Sequence, residues 1–151
     1  MNEPERYEQV VLLACNLDDM TGEELGWVLD RMLALGALDA WHTPIVMKKG
    51  RPAVEFSVLC RPQDADRLRD ALLADTTSLG VRWQAFDRIA CERREVIAQT
   101  RWGAIRCKAK LLDGRVVAVK AEYDDCIGVD ATGLSLREIA REAERLALSA
   151  L

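Results

Sequence analysis

The first part of the chain alternates between strand-like and helix-like patterns of apolar positions. Val10–Cys15 is a continuous apolar run, which is typical of a strand buried on both faces. Residues 21–24, Thr-Gly-Glu-Glu, then have the Thr-x-x-Glu form of a capping box and predict a helix start. The apolar residues that follow share one helical face and are Leu25, Val28, Leu29, Met32 and Leu33. Gly36 is well placed to end this helix.

The next fifty residues predict three more strands and a second helix. Leu38–Met47 is strand-like, and Ala53–Cys60 alternates apolar and polar positions after a short turn. Pro62 favours the start of a helix, whose buried side is marked by Ala65, Leu68 and Leu72. Val81–Ile89 predicts the last strand of this half. The resulting order, β-α-β-β-α-β, is that of the ferredoxin-like fold.

The pattern changes after Cys91. Three strand candidates follow one another, at Arg94–Thr100, Ile105–Leu112 and Arg115–Lys120. The last two are joined by Asp113-Gly114, a strong hairpin signal. A polar helix from Tyr123 to Gly133 and a helix opened by a second capping box at residues 135–138 complete the chain. We therefore predict an α+β protein with an N-terminal tail at residues 1–8, a ferredoxin-like subdomain at 9–90, and a β-meander with two helices at 91–151.

Composition narrows the class of protein. The chain has 151 residues, of which 50% are apolar, and a net charge of −4. This predicts a packed domain or a joined pair, and it argues against a nucleic-acid binder, which would have a basic excess. No apolar run approaches the roughly 20 residues that a membrane span needs. The polar, acidic start of the chain does not resemble an export signal, so we expect a soluble, cytoplasmic protein. The five cysteines are then expected to be reduced thiols, and the single histidine, His42, excludes a histidine-rich metal site within one subunit.

The predicted topology brings polar residues to one end of the first sheet. The end of the first strand, the turn between strands two and three, and the loop before strand four meet there. These segments carry Asn16, Asp18, Asp19, Thr21, Lys48, Lys49, Arg51, Thr76, Thr77 and Ser78. Carboxylates suit a hard divalent cation, and lysines and helix N-terminal amides suit phosphate oxygens. The combination suggests a site for a metal–phosphate complex, such as a nucleoside triphosphate.

Each feature also has a simpler interpretation. The two aspartates alone would serve as favourable charges at a helix start, and the basic turn alone would be a solvated hairpin. A second basic row, Arg106, Lys108 and Lys110, lies on one face of a predicted strand. It is either a solvent-exposed face or a second anion-binding surface that faces a neighbouring subunit.

Four ordered motifs resemble those of a known family. They are residues 16–23 (Asn-Leu-Asp-Asp-Met-Thr-Gly-Glu), 47–52 (Met-Lys-Lys-Gly-Arg-Pro), 76–82 (Thr-Thr-Ser-Leu-Gly-Val-Arg) and 122–126 (Glu-Tyr-Asp-Asp-Cys). They are similar to motifs in the C-terminal domain of LarC, the nickel-insertion protein of nickel-pincer cofactor synthesis. The resemblance covers nearly the whole chain from about residue 9.

The resemblance implies a function and a set of site residues. The family is a CTP-dependent cyclometallase that inserts nickel into a pyridinium bis-thiocarboxylate mononucleotide, the precursor of the cofactor of lactate racemase. Its C-terminal domain binds CTP with Mn²⁺ or Mg²⁺ and forms a homo-oligomer, and a nickel-handling N-terminal domain, absent from this chain, precedes it. By resemblance, Asp18 and Asp19 hold the divalent cation. The residues implied to bind nucleotide are Lys48, Lys49, Arg51, Thr77, Arg82, Lys120, Glu122, Tyr123 and Asp125. No residue is identified as a nucleophile.

Two other classes of function compete with this one. A ferredoxin-like scaffold also serves as a small-molecule-binding or oligomerisation module without chemistry of its own. Such a module does not need charged motifs gathered at one end of a sheet. An RNA-recognition domain would need basic, aromatic strands, and the acidic composition and scattered tryptophans disfavour it.

Overall fold

The computed structural model describes residues 7–151, so residues 1–6 of the predicted tail lie outside the described residues. The chain forms two compact units, the first ending at Ile89 and the second comprising Ala90–Leu151. The strands and helices are β1 Tyr7–Leu17, α1 Gly22–Ala34, β2 Asp39–Met47, β3 Arg51–Cys60, α2 Ala65–Asp75, β4 Arg82–Ile89, β5 Glu92–Thr100, β6 Gly103–Leu112, β7 Arg115–Ala121, α3 Tyr123–Gly128 and α4 Leu136–Ser149.

The first unit has a four-stranded sheet in the order β2-β3-β1-β4, with every neighbouring pair antiparallel. The two central strands are the two that lead into the helices. This is the ferredoxin-like arrangement, and with the helices it confirms the predicted α+β class. The topology places the end of β1, the β2–β3 turn and the start of β4 at the same end of the sheet.

Two strands of the first unit begin earlier than their apolar patterns suggested. β1 starts at Tyr7, inside the predicted tail, because Tyr7 pairs with Ile89 and the ion pair of Glu8 with Arg88 extends the ladder. β3 starts at Arg51, which pairs with Met47 across a tight 3-10 turn. Hydrophobic patterning does not report strand ends whose side chains are polar, so both starts were missed.

The core of the first unit lies between the sheet and its two helices. Every second residue of β1 from Val11 to Leu17 faces this core. The Thr21 hydroxyl and the Glu24 carboxylate form the predicted capping box, which begins α1 and directs its apolar face inward. Leu33, which the pattern placed on that face, is 42% exposed near the end of the helix. The predicted buried side of α2, Ala65, Leu68 and Leu72, is fully buried.

The second unit is the predicted β-meander with two helices. Its sheet has the order β5-β6-β7, and α4 covers one face of it. Alternation along β6 is strict, since Ile105, Cys107, Ala109 and Leu111 are buried and the residues between them are exposed. α3 ends at Gly128, five residues before the predicted end, because Val129 adopts an extended backbone conformation. Among residues 7–151, no helix is long and apolar enough to cross a membrane.

Four of the five cysteines are buried in these cores. Burial raises the pKa of Cys15, Cys60 and Cys126, and it raises that of Cys107 to about 11. These side chains are therefore neutral thiols at pH 7, whereas a cysteine that binds a metal does so as the thiolate. Their role in the fold is that of small apolar core residues.

Candidate functional site

A cluster of charged and polar side chains lies at the end of the first sheet where β1 ends and β3 and β4 begin. We call it the charged cluster, and its members are Asn16, Asp18, Asp19, Lys48, Lys49, Arg51, Glu55, Thr77 and Arg82. Seven of them are the candidate site residues that the sequence motifs singled out in the first unit. The contacts among them show how three separate segments of the chain are held together.

The two aspartates that follow β1 each contact a different segment. Arg51 Nη1 donates to Asp18 Oδ2 at 3.0 Å, which joins the end of β1 to the start of β3. The Thr77 hydroxyl donates to Asp19 Oδ1, and this hydrogen bond joins the segment after β1 to the loop before β4. Both bonds span large sequence separations. Since a carboxylate has about four lone-pair sites, each aspartate keeps oxygen capacity for a further ligand.

Arg82 of β4 contacts side chains of β1 and β3 at the same end of the sheet. Its Nη2 atom donates to Asn16 Oδ1 at 2.8 Å and to Glu55 Oε2 at 2.6 Å. Asn16 and Glu55 are opposite one another in the β1–β3 register, and Arg82 begins β4 beside them. The guanidinium is therefore held in place, and about half of its side-chain surface remains exposed.

Lys48 and Lys49 form the turn between β2 and β3. Neither forms an ion pair or hydrogen bond with any of the residues that the structure describes, and both are exposed. Lys49 has a φ of 65° and Gly50 a φ of 70°, both in the left-handed region. A lysine with positive φ is uncommon, and such backbone conformations concentrate at functional sites. Two cations without partners in the described part of the chain are thus exposed on the tight turn that leads into Arg51, the partner of Asp18.

The donor set of the charged cluster limits the kind of metal site it can form. Across residues 7–151, no three histidine, cysteine, aspartate or glutamate side chains come close enough to hold a metal ion by themselves. Asp18 and Asp19 are adjacent in the sequence, and Asp18 is paired with Arg51. Mg²⁺ is commonly bound by one or two carboxylates together with phosphates of a substrate. The residues present therefore fit a divalent cation that arrives with a phosphate ligand.

The remaining four candidate residues lie in the second unit, and two of them are engaged by basic side chains of β6. Arg106 donates to both carboxylate oxygens of Asp125, from Nε at 2.9 Å and from Nη2 at 2.7 Å, and its backbone N–H donates to Oδ2 at 2.8 Å. Lys108 forms an ion pair with Glu122. These contacts tie the start of α3 to the exposed face of the three-stranded sheet.

The Asp125 contact predicts a defined dependence of stability on pH. The Arg106 guanidinium holds the pKa of Asp125 at about 2, below its ordinary value of 3.8. The ionised carboxylate therefore stabilises the folded state above pH 3.8, and this contribution is lost as the pH falls towards 2. We expect Asp125→Asn to lower the urea midpoint at pH 7 and to differ little from the wild type near pH 2.

The measurement is urea unfolding followed by far-UV circular dichroism at several pH values. Asp124→Asn is the matched control, because Asp124 is the neighbouring, exposed carboxylate. An Asp125→Asn midpoint that equals the control at pH 7 would contradict a stabilising role for the ion pair.

Lys120 and Tyr123, the last two candidates, line a cavity of the second unit, and neither pairs with another side chain within residues 7–151. The sequence patterns did not identify Glu55 as the partner of Arg82 or Arg106 as the partner of Asp125. They also did not identify Arg137 and Glu144 as residues that line the cavity. Glu55 gave a weak signal, since a glutamate in a half-buried strand needs a cationic partner. Arg137 and Glu144 gave none, because they look like ordinary polar positions of an amphipathic helix.

The fold and the charged cluster define a class: an α+β protein whose acidic and basic side chains meet at one end of a ferredoxin-like sheet.

The sequence profile of the nickel insertion protein family matches residues 1–140. A putative nickel insertion protein of Thermomicrobium roseum is 42% identical over 146 residues, which are 95% of this chain and 36% of that protein. A Staphylococcus saprophyticus protein described as pyridinium-3,5-bisthiocarboxylic acid mononucleotide nickel insertion protein is 41% identical over 117 residues, 78% of this chain and 30% of that protein.

Two solved structures are also similar. One is LarC2, the C-terminal domain of a cyclometallase involved in the synthesis of the NPN cofactor of lactate racemase, in its apo form. It superposes with a TM-score of 0.84 at 33% identity, covering 95% of this chain and 99% of that one. The other is protein MK0293 from Methanopyrus kandleri, with a TM-score of 0.64 at 28% identity, covering 95% and 90%. The chain belongs to the nickel insertion protein family, and it spans about a third of the length of the curated relatives it matches.

Proposed function

We propose that this chain is the CTP- and divalent-metal-binding part of an enzyme that inserts nickel into pyridinium-3,5-bisthiocarboxylic acid mononucleotide. The family membership supports the reaction, and the relatives' descriptions support the substrate. The observation that carries the nucleotide role is the charged cluster. Its carboxylates Asp18 and Asp19 lie at the same end of the sheet as Lys48 and Lys49, which have no partner among residues 7–151. Nickel is the substrate metal in this proposal, distinct from the cation that accompanies CTP.

In the first unit, the proposed roles follow the chemistry of each side chain. Asp18 and Asp19 bind the Mn²⁺ or Mg²⁺ ion that CTP carries, and the ion supplies positive charge against the triphosphate. Lys48 and Lys49 are free to bind phosphate oxygens, since they have no partner among residues 7–151. Arg51 borders Asp18 and is oriented by it. Thr77 and Arg82 form the opposite border of the site.

In the second unit, we propose that Lys120, Glu122, Tyr123 and Asp125 also serve nucleotide binding. Glu122 and Asp125 act by positioning, because they orient Lys108 and Arg106 on the exposed sheet face. Lys120 and Tyr123 are available for direct contact. We also propose that the chain assembles into a homo-oligomer and acts in the cytoplasm. Light scattering of the purified chain measures the size of the oligomer directly.

Calorimetric titration with CTP tests this function. We expect CTP to bind in the presence of Mn²⁺ or Mg²⁺ and to bind more tightly than ATP. Lys49→Gln is expected to weaken binding about tenfold both with the metal and in EDTA, because a charge-assisted contact to phosphate is lost in each case. Arg115→Gln, at the tip of the β6–β7 hairpin, is the control for the change in net charge.

Absence of metal-dependent CTP binding would refute the nucleotide role. In that case the chain would be a small-molecule-binding or oligomerisation module on a ferredoxin-like scaffold. Equal affinity of Lys49→Gln and the control would remove Lys49 from the site.

A further inference from the structure

The four-stranded sheet of the first unit ends on one side in an edge strand without a partner. The strand order is β2-β3-β1-β4, so the outer edge of β4 pairs with no other strand of residues 7–151. β4 itself pairs with β1 along its whole length, from Arg82 to Ile89, and no bulge interrupts the register. In an edge strand the N–H and C=O groups of alternate residues point away from the sheet. β4 therefore offers a row of unused backbone donors and acceptors.

The other three edge strands among residues 7–151 have features that discourage pairing with a further strand. β2 has Pro44 in its middle, and proline lacks a backbone N–H. β5 begins with four consecutive charged residues, Glu92–Glu95. A bulge next to Lys110 interrupts the register between β6 and β7. Since β4 contains neither proline nor a bulge, it is the edge most open to pairing.

Large apolar side chains of β4 are exposed on both faces of the sheet. On the face that carries the helices, Trp83 is 47% exposed and Ile89 is 63% exposed. Tyr7, the cross-strand partner of Ile89, is 66% exposed. On the opposite face Phe86 is 39% exposed and pairs with Val10. Exposed apolar side chains along an unpaired edge are typical of a surface that binds another chain.

A second copy of the same strand matches the apolar residues of this edge. When two β4 strands run antiparallel about a two-fold axis at Phe86, the two Phe86 side chains are opposite one another. Trp83 of each copy is then opposite Ile89 of the other, because each lies three residues from Phe86. Aromatic–aromatic and aromatic–β-branched pairs stabilise antiparallel strands. Such a contact uses the same surface of both copies and closes as a dimer.

The charged residues of β4 distinguish this register from its neighbours. In it Asp87 is opposite Ala85, and Arg88 is opposite Gln84, so like charges do not meet. A register centred on Ala85 would place Arg82 opposite Arg88. A register centred on Asp87 would place the two Asp87 carboxylates opposite one another. Because like charges directly opposite each other destabilise a sheet, charge complementarity favours the register centred between these two.

We propose that two copies of this chain pair through the outer edges of their β4 strands, antiparallel and with Phe86 at the two-fold axis. The contact joins the two four-stranded sheets into one continuous sheet. The inference rests on the proposed function only in taking the chain to be a homo-oligomer. It adds the surface through which two copies meet and the register in which they do so.

The first experiment measures the self-association of the full chain by sedimentation equilibrium. We expect Phe86→Lys to raise the dissociation constant of the contact at least about tenfold, because two lysines would face each other across the axis. Trp41→Lys is the matched control, since Trp41 is 38% exposed on the same face of the sheet but lies in β2, the opposite edge strand. A monomeric wild type, or a Phe86→Lys chain that associates as strongly as the control, would overturn the proposal.

The second experiment tests the register by disulfide cross-linking, in a Cys91→Ser background because the other four cysteines are buried. Cα atoms of directly opposite residues lie about 4.5–5.5 Å apart, a distance that a disulfide spans. Phe86→Cys is therefore expected to form a covalent dimer readily under mild oxidation. Ala85→Cys and Asp87→Cys are expected to cross-link slowly when alone and readily when mixed. Failure of Phe86→Cys to cross-link, or faster cross-linking of Ala85→Cys or Asp87→Cys alone, would refute the contact.

Calorimetric titration with CTP and Mn²⁺ separates this inference from the proposed nucleotide role. A chain that associates through Phe86 but does not bind CTP would refute the nucleotide role and leave the β4 contact intact. A chain that binds CTP and forms an oligomer, but does not cross-link at Phe86, would refute the β4 contact alone.

Discussion

The double variant Asp18→Asn, Asp19→Asn is expected to bind CTP about 100-fold more weakly than the wild type in Mn²⁺, because two charged contacts to the cation are lost. In EDTA the expected direction reverses. Two negative charges beside a polyanion are removed, so metal-free CTP is expected to bind equally well or more tightly. Asparagine keeps an oxygen acceptor for Arg51 and for Thr77, which preserves the contacts that join the three segments.

The measurement is paired calorimetry, with and without the metal. Asp66→Asn, Asp70→Asn is the matched control, since both carboxylates are exposed on α2 and pair with Arg69 outside the charged cluster. It changes the net charge by the same amount and is expected to behave as the wild type. An equal loss of affinity with and without the metal would show that the two aspartates do not act through a cation.

Phe56→Ala is expected to lower the free energy of unfolding of the first unit by about 3–5 kcal/mol, as is usual for a fully buried aromatic residue. Phe56 is 0% exposed, and it lies in β3 between β1 and β2, with Cys15 and His42 as its cross-strand neighbours. Removing the ring leaves a cavity in the core of the first unit, next to β3, the strand that also carries Glu55. A loss of that size is a large fraction of the roughly 5–15 kcal/mol by which a typical native protein is stable.

Urea unfolding followed by tryptophan fluorescence measures this loss, since Trp27, Trp41 and Trp83 all belong to the first unit. The chain has two phenylalanines, so Phe86→Ala is a matched control. Phe86 is 39% exposed, and its replacement is expected to cost about 1 kcal/mol. Similar losses for the two variants would contradict the central position of Phe56 in the core.

Most of the fold was predictable because its signals are local. The capping boxes at Thr21 and Ser135 both form as predicted, and both helices begin at the following residue. The β6 alternation and the Asp113-Gly114 turn specify a hairpin, with positive φ at both residues. Less predictable were the start of β1 at Tyr7 and the early end of α3. Both depend on interactions or backbone conformations that an apolar pattern does not report.

The candidate site was only partly accessible from the sequence. Motif spacing and topology identified segments that the structure brings together, namely those carrying Asp18, Arg51 and Thr77. The partner of Arg82 could not be predicted in the same way. Nothing local marks Glu55 as the partner of Arg82, because the contact depends on the register of three strands.

The sequence by itself therefore determined the order of the elements, the ferredoxin-like topology and the segments that carry charge. Periodicity, capping and turn chemistry are properties of neighbouring residues, and topology follows from their order. Only the tertiary structure decided which charges are neutralised and which remain available. Asp125 and Glu122 are held by Arg106 and Lys108, whereas Lys48, Lys49, Lys120 and Arg137 have no partner among residues 7–151. The physical reason is that an ion pair forms over a few ångströms, and strand register decides which side chains come that close.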